Sequence, residues 1–107
     1  MILIEDKASG QQLIQELVWG GLHQVTRYAP EGDKIMRLHA QTGMIEGGFV
    51  FLPRSGPWLD IYIHELTTFP AGKYDDQTDS TSQFLDWFKQ ASNRQGARWV
   101  KINWIGR

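Results

Sequence analysis

Apolar positions along the chain change period several times, and each change marks an element. Ile2-Leu3-Ile4 is an unbroken run rich in β-branched residues that ends at Glu5-Asp6, the pattern of a buried strand with acids at its carboxyl end. Leu13, Ile14, Leu17 and Val18 follow at helical spacing. Ahead of them, Ser9-Gly10-Gln11-Gln12 matches a capping box with Ser9 as the N-cap, and Gly20-Gly21 stops the helix. Val25 to Tyr28 reads as a short strand closed by Pro30 and the Glu31-Gly32 turn. A strand, a helix and a strand in so short a span predict a βαβ unit with parallel strands.

Asp33 caps a second predicted helix, with Ile35, Leu38, Thr42 and Ile45 on one stripe and Gly47-Gly48 at its end. Phe49-Val50-Phe51-Leu52 reads as a strand, stopped by Pro53. Residues 58–66 fit both strand alternation and helical spacing. Pro57, placed after Ser55-Gly56 at a first helical position, selects helix. Phe69-Pro70-Ala71-Gly72 is a loop, after which a helix begins near Asp75 and buries Phe84, Leu85, Trp87 or Phe88, and Ala91. Beyond the polar residues 92–96, Val100, Ile102 and Trp104 alternate with Lys101 and Asn103 as a half-exposed terminal strand. The expected fold class is α/β: a small sheet with parallel strands and helices packed on it, with no internal repeat.

Composition narrows the class further. At 107 residues the chain is expected to form a single domain, 1–107. An apolar content of 41%, with five Trp and five Phe, predicts a packed globule rather than a disordered chain. A net charge of −1 provides no bulk attraction to nucleic acid or anionic membrane, so any DNA contact must come from a local patch. The absence of cysteine excludes disulfides and thiolate metal sites. No apolar run approaches the ~20 residues that span a bilayer. The N-terminus lacks the basic and long apolar regions of a signal peptide, so a soluble intracellular protein is expected.

The chemistry concentrates in acids. Asp76 and Asp79 are three apart and Asp75 and Asp79 four apart, so on a helix each pair shares a face. Like charges at that spacing repel by roughly 0.2–0.5 kcal/mol per pair. A hard divalent cation with oxygen ligands would turn the repulsion into attraction. The plainer reading is a helix N-terminus, where Asp is a favoured cap and acids complement the macrodipole. Glu5-Asp6 forms a second cluster at the carboxyl end of a strand, where open α/β sheets place their chemistry. Carboxylates from separate elements meeting at a divalent ion is the construction of metal-dependent nucleases.

Five blocks in order carry a resemblance: Ile4-Glu5-Asp6-Lys7-Ala8-Ser9-Gly10 with Leu13-Ile14-Gln15-Glu16-Leu17; Gly32-Asp33-Lys34-Ile35-Met36-Arg37; Phe51-Leu52-Pro53; and Gly72-Lys73-Tyr74-Asp75-Asp76-Gln77-Thr78-Asp79-Ser80. Over residues 1–90 the chain resembles the C-terminal nuclease domain of tailed-phage terminase large subunits, leaving 91–107 as an extra terminal strand. The resemblance implies a ribonuclease H-like fold and divalent-metal-dependent endonucleolytic cleavage of double-stranded DNA during genome packaging. It implies Mg2+ or Mn2+ held by Glu5, Asp6, Asp75, Asp76 and Asp79, with Glu5 and Asp76 as the catalytic carboxylates. Lys7, Arg37 and Lys73 would meet DNA phosphates. The implied setting is the cytoplasm of a bacterial host, with other terminase or portal components as partners and no membrane.

The departures are equally specific. The family's first catalytic acid lies on a strand upstream of the matched region, and no Walker-type loop of an ATPase motor is present. The chain is therefore expected to be a truncated fragment or a prophage remnant, with an incomplete ribonuclease H-like fold and weak or absent activity alone. The alternative is a catalytically inactive folded interaction module, dimeric through edge pairing. His39 and His64 lie outside any ligand spacing, and Ser9 and Ser80 lack the His and Asp of a nucleophilic triad.

Overall fold

A computed structural model describes residues 1–94 of the chain. Its elements are β1 (Ile2–Glu5), α1 (Ser9–Trp19), β2 (Val25–Tyr28), α2 (Lys34–Glu46), α3 (Leu59–Thr68) and α4 (Asp76–Arg94). The class is α/β, as the pattern predicts. The elements fall into two compact units that divide between Gly32 and Asp33. The terminal strand expected over 100–104 lies outside the described residues.

In the first unit β1 and β2 pair in parallel, with Ile2 opposite Val25 and Glu5 opposite Tyr28. The ladder runs past both ends: Ile2 N–H donates to the Gln24 carbonyl at 2.9 Å and Asp6 N–H to the Tyr28 carbonyl at 2.7 Å. Parallel pairing follows from the helical crossover between the strands. Helix α1 packs on both strands and buries Ile14, and Tyr28 is buried as well. The predicted stripe is only partly covered: Leu17 is half-buried, and Leu13 and Val18 stay exposed. Two strands spaced about 4.8 Å apart are narrower than a helix and its side chains, so one row of apolar residues finds cover and its neighbours do not.

The turn from β1 to α1 corrects the expected capping box. Ser9 is already helical, Ala8 holds the N-cap position at φ 50°, and no side chain caps this end. The Gln12 amide donates forward to Glu16 Oε1 at 3.1 Å instead of reaching back. The cause is a tight turn in which Gly10 N–H bonds to the Lys7 carbonyl at 3.0 Å. Gly10 then lies so close to the end of β1 that a Cβ there would overlap the Glu5 carbonyl oxygen.

In the second unit α4 packs against both α2 and α3. Asp33 caps α2 as predicted, accepting from Met36 N–H at 2.8 Å, and α2 closes at Gly47. Helix α3 forms as expected but begins at Leu59, with Trp58 at the N-cap and Pro57 in the turn ahead of it rather than at the first helical position. The strand expected over 49–52 does not form; those residues are irregular backbone. A strand needs a ladder, and the described part of this unit contains only helices to pack beside. The buried set is largely polar, with Gln41, Glu65, Thr78, Ser82, Gln83 and Ser92 beside Leu59 and Leu85. Ile35 and Ile45 of the predicted α2 stripe are exposed, and Gln41 turns inward. Among the aromatic residues of α4, Phe84, Trp87 and Phe88 are half-buried, and the Phe84 ring lies against each of the other two. Among the described residues no helix is long and apolar enough to cross a membrane.

Replacement of Gly10 by Ala is expected to destabilise the fold by about 1–3 kcal/mol, the cost of forcing a methyl into occupied space. Gly43→Ala is the control, because a Cβ there meets nothing within 4 Å and alanine favours a helix interior by up to ~1 kcal/mol. Thermal unfolding should rank Gly10→Ala below the wild type and Gly43→Ala at or above it. Equal melting of Gly10→Ala and wild type would contradict the close approach.

Candidate functional site

The two acid clusters lie in different units, Glu5 and Asp6 in the first and Asp75, Asp76 and Asp79 in the second. Strand alternation puts Glu5 and Asp6 on opposite faces of the sheet. Ile4 stands opposite Arg27 in the ladder. Asp6, two residues beyond Ile4, shares that face, and its Oδ1 lies 3.6 Å from the Arg27 guanidinium. Glu5 shares the other face with Leu3 and Tyr28. Sequence adjacency therefore does not make them joint ligands of one ion.

The start of α4 is built from three helices. Asp79 N–H donates to the Asp75 carbonyl at 2.8 Å, which puts Asp75 at the N-cap position. Its side chain does not cap. The first-turn amides of Gln77 and Thr78 donate instead to the two oxygens of the buried Glu65 carboxylate, at 3.4 and 3.2 Å. Glu65 comes from α3, so one helix supplies the cap of another, and its charge opposes the positive end of the α4 dipole. A further tie joins the same helices, between Tyr62 Oη and Thr81 Oγ1 at 2.6 Å.

Helix α2 answers the acids themselves. Lys34 Nζ lies 3.1 Å from Asp75 Oδ2. One turn on, Arg37 Nη2 lies 2.7 Å from Asp79 Oδ1, with side-chain exposures of 9% and 14%. The other Asp79 oxygen accepts from Gln83 Nε2 at 3.1 Å. The Lys34 pKa is raised above its ordinary 10.5, first by the hydrogen bond to Asp75 and then by the charges of Asp75, Asp79 and Asp76. Asp76 is exposed and forms no ion pair or side-chain hydrogen bond among the described residues. The carboxylate repulsion anticipated from the sequence is thus relieved by two cations of α2. The sequence signal was the complementary spacing, bases three apart at 34 and 37 against acids four apart at 75 and 79. Glu65 and Gln83 carried no such signal.

Of the three residues expected to meet DNA, Lys7 and Lys73 are exposed, and Lys73 Nζ sits 5.2 Å from the centroid of the Tyr74 ring. Arg37 is largely buried and turned to Asp79. Among the described residues no three His, Asp or Glu side chains are grouped so as to hold a metal ion. Compared with protein-family models, curated proteins and solved structures, the chain matches none.

Breaking a buried pair on one side strands the other charge, so Asp79→Ala is expected to cost about 3 kcal/mol. Arg37→Met combined with Asp79→Ala should recover part of that loss, and a denaturation double-mutant cycle reads the coupling. Additive losses would mean that the two side chains do not interact. The Lys34 pair is exposed and worth less than about 1 kcal/mol. Its contribution has a definite pH sign: a lysine whose folded pKa is raised stabilises fully below its unfolded value and loses that stability as pH rises through the folded one. The melting-temperature gap between wild type and Asp75→Asn should therefore close as pH climbs past 10.5. A gap unchanged at high pH would count against the pair.

Proposed function

We propose that this chain carries two of the metal-holding carboxylates of a terminase-type nuclease domain, Glu5 and Asp76, as a fragment or remnant of that domain with an incomplete ribonuclease H-like fold. One observation carries the reading. Of the five acids to which the resemblance gives the metal, Asp6, Asp75 and Asp79 are each engaged by a cation, whereas Glu5 and Asp76 make no ion pair or side-chain hydrogen bond among the described residues. These are the two positions at which the resemblance implies the chemistry. Carboxylate oxygens suit a hard divalent cation, so the donor type fits magnesium or manganese. The number of donors is small, and weak or absent cleavage by the chain alone is part of the proposal.

Glu5 in the first unit and Asp76 in the second would each serve as a metal ligand, and Lys7 and Lys73 would meet the phosphates of double-stranded DNA. Bound there, the ion supplies charge neutralisation at phosphorus and a more acidic water. Asp79 is not needed as a ligand in this reading, and Arg37 is not needed at phosphate. A second reading is a non-catalytic folded module of the same lineage. It is favoured by the three engaged acids, whose roles are accounted for by ion pairing alone.

Manganese titration followed by backbone amide signals separates the two. Saturable broadening at Glu5 and at Asp76, the latter abolished by Asp76→Ala, is expected on the metal reading. No change up to millimolar manganese leaves the module. Plasmid cleavage by wild type and Asp76→Ala is the companion assay, and equal cleavage by both would exclude the catalytic assignment.

A further inference from the structure

Helix α4 begins at Asp76, and the amides in the first turn of a helix have no acceptor within it. Two of them are taken by another helix. Gln77 N–H donates to Glu65 Oε1 at 3.4 Å and Thr78 N–H to Glu65 Oε2 at 3.2 Å. Glu65 and Thr78 are both buried, which limits competition from water. The exposed Asp76 stands immediately before these two amides. Immediately before Asp76, the side chain of Asp75 meets Lys34 Nζ at 3.1 Å.

The backbone beneath Asp76 is therefore tied on both sides, and the two ties are unequal. The Lys34 pair lies at the surface, where ion pairs contribute little. The Glu65 contacts are buried hydrogen bonds to a charged group, which contribute more. An aspartate has one methylene between its backbone and its carboxyl group. The reach of its oxygens is thus set by that backbone and by a few staggered rotamers.

Resting on the reading of Asp76 as a metal ligand, we propose that Glu65 is a positioning residue for that carboxylate. Its own oxygens are turned to the amides of Gln77 and Thr78, and it acts on the ion only through the helix start that it holds. Released from Glu65, the first turn of α4 would fray, and Asp76 would present its oxygens over a spread of directions. Groups that orient a metal ligand are typically worth roughly 10–100-fold in metal affinity.

Manganese alone is the probe, read from broadening of the Asp76 backbone amide signal in the whole chain. Glu65→Gln keeps the size of the side chain and removes its charge, whereas Glu65→Asp keeps the charge and shortens the reach. Both should raise the manganese concentration at half-broadening by roughly tenfold or more, and both should speed hydrogen exchange at Gln77 and Thr78. Tyr62→Phe cuts the other tie between α3 and α4, at Thr81 Oγ1, without releasing those amides, so it should leave the midpoint unchanged. Far-UV circular dichroism checks that each variant folds; if Glu65→Gln does not, Glu65→Asp supplies the comparison. A Glu65→Asp chain that binds as tightly as the wild type overturns the proposal, since charge alone would then explain any loss in Glu65→Gln. Equal losses in Tyr62→Phe and the Glu65 variants overturn it too, because they would report helix packing only. A wild type that takes up no manganese at Asp76 removes the metal reading and this role together, whereas binding that both Glu65 variants leave intact removes this role alone.

Discussion

A guanidinium withdrawn from water needs a carboxylate within hydrogen-bonding distance, and in the second unit that requirement sets how α2 and α4 meet. Arg37 and Asp79 are both largely buried, 2.7 Å apart, with the second Asp79 oxygen held by Gln83. Desolvating two ions costs several kcal/mol each, so such a pair adds little net stability over an apolar contact. What it adds is register. A slip of one helical turn, about 5.4 Å, would strand both charges. Lys34 with Asp75 on one side and Lys89 Nζ, donating to the Ala40 carbonyl at 3.1 Å, on the other repeat the constraint along the same two helices. Glu65 adds α3 to the arrangement at the start of α4. Polar atoms align the helices, and Leu85 supplies buried apolar contact nearer the middle of α4.

How much of this the sequence announces depends on how local the cause is. The run Ile2-Leu3-Ile4, the turn at Pro30, the Asp33 cap and the Pro57 helix start each act within a few residues, and the elements they predict are present. The parallel pairing of β1 and β2 follows from the length of their connection. The misread features turn on contacts that composition does not reveal. Ser9 loses its capping role because Gly10 lets the helix begin against the Glu5 carbonyl. Residues 49–52 have strand composition but no ladder, and composition does not provide a partner. At the site, the cluster was visible and the engagement of its members was not, since the cations that engage Asp75 and Asp79 lie 41 and 42 positions away along the chain.

That engagement narrows which acids are available for other chemistry. A metal ion bound through Asp79 would have to displace Arg37 and leave a buried guanidinium without its counter-ion, a penalty of about 3–5 kcal/mol. Each 1.4 kcal/mol is tenfold in affinity, so the cost is at least a hundredfold. Asp75 carries a smaller version of the same burden, because its partner Lys34 is half-exposed and can return to water. Asp76 carries none. The helix spacing that made the three acids look equivalent is therefore resolved by their neighbours, and Asp76 is the member with its charge unspent.

Glu5 stands in a comparable position at the other cluster, but its setting depends on the sheet rather than on a helix pair. Two short parallel strands are marginal on their own, because parallel ladders usually gain their stability from cover on both faces and from further strands. Among the described residues the outer N–H and C=O of Glu5 meet no backbone partner. The ladder to β2, in which Glu5 stands opposite Tyr28, therefore sets the direction of its carboxylate, on the face shared with Leu3 and Tyr28.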